Sequence, residues 1–190
     1  MIAATDQDKK LVVDILSSAF NENQSVNYLI PQDGNRFKRI RALMDYSYEV
    51  CKTAGKVVLS DDRKACALVL FPDQKKTTLT SLVPMVRLIK NAIGVGNIGK
   101  AMNRESLIAK HHPQTPFYHL WFIGVQPEYK GTGIGGRLLR ELMEEAKGMN
   151  RPVFLETSTM KNLPWYKKHG FSIYHNLELS YTLYLLRKTF

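Results

Sequence analysis

Apolar residues recur at helical spacing in two early segments. Asp8–Phe20 places Leu11, Val12, Ile15, Leu16 and Ala19 on one face, and Asn35–Thr53 does the same with Phe37, Ile40, Leu43, Met44, Ser47 and Val50. Gly55 follows the second segment as a helix-closing residue. Two short apolar runs, Lys56–Leu59 and Ala65–Phe71, flank Asp61-Asp62-Arg63 and predict a hairpin. Residues 80–110 predict two helices broken near Gly94–Gly99. The run Tyr118-His119-Leu120-Trp121-Phe122-Ile123-Gly124-Val125 reads as a buried strand with Gln126-Pro127-Glu128-Tyr129 as its exit turn. Ile134, Leu138, Leu139, Leu142, Met143 and Ala146 then mark an amphipathic helix. A strand at Val153–Thr157, a short helix at Asn162–His169 and strands at Phe171–Asn176 and Ser180–Leu186 complete the pattern. Strands and helices alternate with no repeat or linker, which predicts one α/β domain over residues 1–190.

Composition narrows the class. A chain of 190 residues with 44% hydrophobic content supports a sizeable single core. No apolar run reaches the roughly 18 residues of a membrane span, and the first residues lack the basic-then-apolar shape of a secretion signal. Cys51 and Cys66 fall on separate predicted elements, so both are expected as buried free thiols in a reducing, cytoplasmic setting. The net charge is +10, with seven Lys/Arg against one Glu in 74–110 and eight against four in 130–170. In 74–110 the cations interrupt amphipathic helix patterns rather than alternating with aromatics, which reads as a solvated face. Nucleic-acid binding is unsupported by any motif, and a homodimer stays open.

The chemistry begins at Lys130-Gly131-Thr132-Gly133-Ile134-Gly135-Gly136. A glycine-rich turn between a strand and a helix N-terminus is an anion site. Unpaired N–H groups converge there, the helix dipole adds about half a positive charge, and glycine lets the backbone approach a phosphate closely. Gly131 and Gly136 have the separation of a nucleoside-triphosphate loop, but Arg137 and Leu138 stand where Lys and Ser/Thr are required. A second glycine string, Gly94-Val95-Gly96-Asn97-Ile98-Gly99, follows a helical pattern rather than a strand and reads as a helix break, not a dinucleotide fingerprint.

The segment resembles the acyl-CoA loop of the GNAT superfamily of N-acetyltransferases, whose Gln/Arg-x-x-Gly-x-Gly/Ala motif is matched by Lys130-x-x-Gly133-x-Gly135, with Lys in place of Arg or Gln. Phe154-Leu155-Glu156-Thr157-Ser158, Asn162-Leu163-Pro164-Trp165-Tyr166, Gly170-Phe171, His112-Pro113 and Pro116 are similar to the branch containing puromycin N-acetyltransferase. The resemblance is strong over 112–176. It implies a GNAT-like α/β fold with a mixed, mostly antiparallel sheet, splayed between the 118–125 and 153–157 strands and covered by helices on both faces. It also implies acetyl-CoA as co-substrate, no metal, and a small-molecule amine as acceptor.

On that resemblance, Lys130 through Gly136 and Arg137 hold the cofactor's pyrophosphate. Backbone groups of Ile123, Gly124 and Val125 meet the thioester, with Gly124 as a bulge position. Tyr166 stands where the family's general acid does, and its alternative is a core tyrosine. Asn162 is a hydrogen-bond partner for the pantetheine arm or an N-cap. Glu156, an acid inside an apolar strand, faces solvent, binds a cationic acceptor or takes the amine proton. His112 and His119 are alternative bases, because imidazole titrates near neutrality; His112 also reaches toward an acceptor pocket. Trp121 and Trp165 line that pocket or belong to the core. Two other readings remain: a non-catalytic acyl-CoA-binding sensor, which has no use for Tyr166, and a basic nucleic-acid-binding protein, whose binding would weaken steeply with salt.

Overall fold

A computed structural model describes residues 1–74 and 82–190. Lys75 and Lys76 of the basic 74–110 segment, and the first residues of the helical region expected from 80, lie outside the described residues. Seven strands form one sheet in the order β1-β2-β3-β4-β5-β7-β6. They are β1 (Ile2–Ala3), β2 (Gly55–Leu59), β3 (Ala65–Leu70), β4 (Tyr118–Val125), β5 (Val153–Thr157), β6 (Ser172–Glu178) and β7 (Thr182–Lys188). Every neighbouring pair is antiparallel except β4 and β5.

The helices follow the periodicity. They are α1 (Lys9–Ala19), α2 (Gln24–Leu29), α3 (Arg36–Ala54), α4 (Leu82–Leu88), α5 (Ile98–Ala109), α6 (Ile134–Gly148) and α7 (Leu163–Lys168). In α3 the buried face continues through Tyr48, Cys51 and Ala54, whereas Phe37, expected on it, is 46% exposed. Helix α4 runs on as a π-helical turn over Ile89–Ile93 and stops at Gly94, whose φ is +69°. The glycine string there is a helix break, as its context implied. β1 and α2 carried too few apolar positions to show a period, and neither was expected. No described helix is long and apolar enough to cross a membrane.

Strand alternation sorts the core onto two faces. Cys66, Leu68 and Leu70 of β3 face α1 and α3, while Ala65, Ala67 and Val69 join Leu138, Leu139 and Leu142 of α6 on the other side. Tyr166 of α7 belongs to the α6 side. Leu183 and Leu185 of β7 meet Ile108 of α5 in a third cluster. Leu185 neighbours Glu156 in register, and Leu186, beside Leu155, belongs with α6. Helices α1, α3 and α5 therefore cover one face, and α6 and α7 the other.

Gly55 corrects a detail. It does not close α3 in a left-handed turn: its backbone is extended and opens β2, and a Cβ there would lie 2.0 Å from the Val69 carbonyl oxygen. Close strand approach requires this glycine. Cys51 and Cys66 are free and buried, and burial pushes both thiols up.

Candidate active site

The parallel pairing of β4 with β5 lasts for two residues, Tyr118 with Val153 and His119 with Phe154. Beyond them the strands part. Gln126 donates to the Lys64 carbonyl at 2.9 Å, which sets the phase of the ladder with β3. By alternation Gly124 and Phe122 bond toward β3, and the N–H and C=O groups of Ile123 and Val125 turn toward the gap. The gap exposes a short row of backbone donors and acceptors with no strand to satisfy them.

The bulge that reshapes β4 is not at Gly124. Gly124 keeps regular register with Cys66, and the shift falls between Leu68 and Val69, opposite Trp121. Trp121 and Phe122 consequently both fall with the α1/α3 cluster, where strict alternation would send them to opposite faces. The reason for Gly124 is packing. A Cβ there would sit 3.0 Å from Leu16 Cδ2 and 3.2 Å from Ala19 Cβ, so α1 lies directly on this position.

At the end of β4 the chain turns through Pro127–Tyr129, steadied by the Lys64 ammonium 3.9 Å from the Tyr129 ring centre. Gly131 and Gly133 both have φ of +86°, and Gly133 is the N-cap of α6. Only glycine adopts this conformation at little cost. Gly135 allows α6 to press on β4, since a Cβ there would meet Val125 Cγ2 at 3.0 Å. The first N–H groups of α6 face outward from an exposed turn bearing Lys130 and Arg137. Thr132 gives both its hydroxyl, at 2.7 Å, and its backbone N–H, at 3.3 Å, to the Tyr129 carbonyl, so its part is to hold the turn. Asn162 precedes α7, is exposed and makes no side-chain cap, which leaves its amide free for other partners.

On the opposite face of the sheet, three residues that sequence reasoning treated separately come together. Glu156 of β5 accepts from His112 Nε2 through one carboxylate oxygen and from His119 Nε2 through the other, each at 2.8 Å. All three side chains are largely shielded, with Glu156 6% exposed. Burial alone would raise the Glu156 carboxyl; the two imidazoles outweigh it and hold the group well below the usual carboxylate range. An ionised carboxylate only accepts, so both Nε2 atoms carry hydrogen. The basic atom of each neutral imidazole is then Nδ1, and neither Nδ1 has a partner among the described residues. The three ligand atoms lie within 4.8 Å of one another, a donor set with metal-binding chemistry. As arranged, its imidazole hydrogens are already committed to the carboxylate.

Tyr166 is 6% exposed and packs edge-on against Trp165 and Phe171. Its hydroxyl has no hydrogen-bond partner among the described residues, so it caps no neighbouring backbone group. Burial, and after it the charge of Glu156, pushes the phenol up, which keeps it protonated. Although the two side chains stand on opposite faces, the Glu156 charge reaches Tyr166. Trp165 packs with Tyr166 and His169 on the α6 side, the core alternative of the two readings open to it, whereas Trp121 lies with the α1/α3 cluster.

Tertiary structure also adds Arg104. Its side chain, 11% exposed, reaches from α5 to Ser25 Oγ of α2 at 2.8 Å and Tyr181 Oη at 3.3 Å, and pairs with Glu105. Tyr181 Oη itself donates to Ser25 Oγ at 3.0 Å, and Ser25 N–H donates to Ser158 Oγ, two residues beyond Glu156. Nothing in the α5 sequence distinguished this arginine from the other cations of its segment.

Residues 90–173 match the acetyltransferase (GNAT) domain family. That match contains β4, the glycine turn, α6, β5 and α7, the elements that build the splay. Over 59 residues the chain is 48% identical to the N-alpha-acetyltransferase RimI of Mycobacterium tuberculosis, a stretch that is 30% of this chain and 36% of that protein. Over 97 residues it is 30% identical to a probable serine/threonine-protein kinase of Dictyostelium discoideum, covering 48% of this chain and 10% of that one. The chain thus spans a tenth and about a third of the curated relatives it matches. The fold extends further than either. It superposes on the structure of histone acetyltransferase HPA2 and related acetyltransferase from Corynebacterium glutamicum with a TM-score of 0.76 at 21% identity, over 99% of this chain and 94% of that one. The seven-stranded architecture is that of GNAT acetyltransferases.

Proposed function

We propose that the chain transfers the acetyl group of acetyl-CoA to the amine of a small-molecule acceptor by direct attack on the thioester. The observation that carries this reading is the opened β4–β5 seam. A glycine turn at the head of α6 borders it on one face, and the Glu156–histidine cluster lies on the other. The cofactor's pyrophosphate meets the backbone N–H groups of Gly131 and of Gly133 to Gly136, with Lys130 and Arg137 beside them. Ile123 and Val125 offer their backbone groups to the thioester arm, and Asn162 offers its amide.

For the reaction to run, the acceptor ammonium must lose a proton before its lone pair attacks. His112 or His119 accepts that proton at Nδ1, while Glu156 holds both rings in the required tautomer and stabilises the imidazolium, the part a buried carboxylate plays beside a catalytic histidine. The C–N bond forms, the oxyanion draws on preorganised backbone N–H groups, and the C–S bond breaks. The Tyr166 hydroxyl gives its proton to the departing thiolate and regains one as the newly bonded nitrogen sheds its second proton, so one proton is released in net. The puromycin-acetyltransferase-like runs at 154–158 and 162–166 support a small amine as acceptor.

Two measurements test the reading. Calorimetric titration at moderate salt should show saturable acetyl-CoA binding and none of ATP. With a turned-over amine in hand, Tyr166→Phe should bind acetyl-CoA as the parent does and lose on the order of 10²–10⁴-fold in free-thiol release. Undiminished release would remove Tyr166 from the acid role, and folded protein that ignores acetyl-CoA would sink the transferase reading.

A further inference from the structure

Arg104 is a buried cation whose one direct counter-charge among the described residues is poorly placed. Glu105 is its neighbour in the chain and is 60% exposed, so water competes strongly for that pair. The other guanidinium contacts are neutral hydroxyls, Ser25 Oγ and Tyr181 Oη. These three bonds leave part of the arginine's donor fork uncommitted among the described residues. A buried charge is costly unless it is paired and hydrogen-bonded. Glu156 does not supply the missing contact; the hydrogen bonds it accepts come from His112 and His119. Ser25 links the two regions: its Oγ accepts from Arg104 at 2.8 Å, and its N–H donates to Ser158 Oγ, two residues beyond Glu156, at 3.2 Å.

A second observation points the same way. Tyr174 Oη on β6 is buried and without a partner among the described residues, and it feels the charge of Glu156. Its ring stacks edge-on against Phe154, two residues before Glu156 on the same face of β5. Tyr174 also packs against the cluster that contains Ile108, one helical turn along α5 from Arg104. Arg104 and Tyr174 thus belong to one wall beside Glu156, and both hold donors with nothing to donate to.

The elements that Arg104 ties together, α2, α5 and the β6–β7 turn, also line a cleft of about 630 Å³. Its charged lining is Lys100, one turn before Arg104, and no acidic residue lines it among the described residues. Arg104, Glu156 and the two histidines do not line it, so the cleft adjoins the arginine's contacts and is not itself the acceptor site.

We propose that Arg104 anchors a carboxylate of the acceptor, making the acceptor an amino-acid-like molecule whose amine end meets the Glu156–histidine cluster. This rests on the transferase reading. The planar fork of arginine is the side chain best matched to a carboxylate. A single site then holds the two ends of one molecule by opposite charges. Simple polyamines and arylalkylamines, which lack the carboxylate, would leave the arginine as it stands.

The test uses matched acceptors. Free-thiol release from acetyl-CoA is measured with the L-amino acids, their amides and the corresponding decarboxylated amines, and binding of the same compounds is followed separately by thermal shift and calorimetry. The favoured carboxylate should exceed its amide by about a hundredfold in kcat/KM, the scale of losing one partner of a buried charge pair. Arg104→Gln should erase that preference through KM, with acetyl-CoA binding retained. Arg104→Lys should retain part of it. Equal wild-type activity on acid, amide and amine overturns the inference while leaving the transferase intact, and needs no variant to fold. Carboxylate binding that depends on Arg104, in protein that never turns over acetyl-CoA, upholds the anchor and removes the transferase. Absence of both carboxylate binding and carboxylate turnover overturns the anchor.

Discussion

Replacing Gly133 with Asp separates anion binding from folding, and the structure supplies the magnitudes. A Cβ at this position meets nothing within 4 Å, so the substitution brings no steric conflict with its neighbours. The φ of +86° costs a side-chain-bearing residue about 1–2 kcal/mol. A carboxylate at the positive end of the 15-residue α6 returns about 0.3–1 kcal/mol. The net loss is near 1 kcal/mol, or roughly 2–4 °C in melting temperature for a chain of this size. Binding responds very differently. The new carboxylate competes for the N–H groups at the head of α6 and repels the pyrophosphate. Losing two charge-assisted hydrogen bonds at about 1.5–3 kcal/mol each weakens acetyl-CoA by about 10²–10⁴-fold. Gly133→Ala bears the same backbone penalty without the charge, and its affinity should stay within about tenfold of the parent. Calorimetry with acetyl-CoA and a thermal melt on all three proteins make the comparison. Parental affinity in a folded Gly133→Asp protein would show that the cofactor's phosphates do not sit at this turn.

Three further outcomes follow from the packing and the charges. Gly124→Ala pushes a methyl into Leu16, which is fully buried and has no room to yield; overpacking of about 1–3 kcal/mol should lower the melting temperature by roughly 3–10 °C, and an unchanged melt would mean that α1 does not press on β4 here. Glu156 has a depressed pKa in the folded state, so its contribution to stability is full above the unfolded carboxylate value of about 4.3 and is lost as pH falls below it. Denaturant titrations between pH 6 and about 3 should therefore show a shallower acid decline for Glu156→Gln than for the parent, and superimposable declines would refute the imidazole-held carboxylate. Tyr166→Phe removes a hydroxyl that has no partner among the described residues, so its melting temperature should match or slightly exceed the parent's; a loss of several degrees would reveal a structural hydrogen bond.

Much of the fold was legible in local pattern. The 3.6-residue recurrence marked α1, α3 and α6 within a residue or two, because each buries one continuous stripe. The apolar run at 118–125 read as a central strand because both its faces are covered. The glycine turn was legible as well, since positive φ at Gly131 and Gly133 and close approach at Gly135 are demands that glycine meets. Short elements such as β1 and α2 were not, and the extended backbone of Gly55 could not be told from a helix cap.

What remained for the tertiary structure was everything set by distance between segments far apart in the chain. His112, His119 and Glu156 each look ordinary in sequence. Their union follows from the two-residue pairing of β4 with β5, a register that no local pattern encodes. The bulge moved from Gly124 to Trp121 because a ladder shift depends on both strands, whereas a glycine reports only on its own surroundings. Arg104 among the cations of its segment became distinct only when α5 was laid against α2 and β7. Sequence alone determined which face of each long helix is buried and where the glycine turn falls, because burial period and φ are local. The meeting of side chains into a site was decided by packing, which is not.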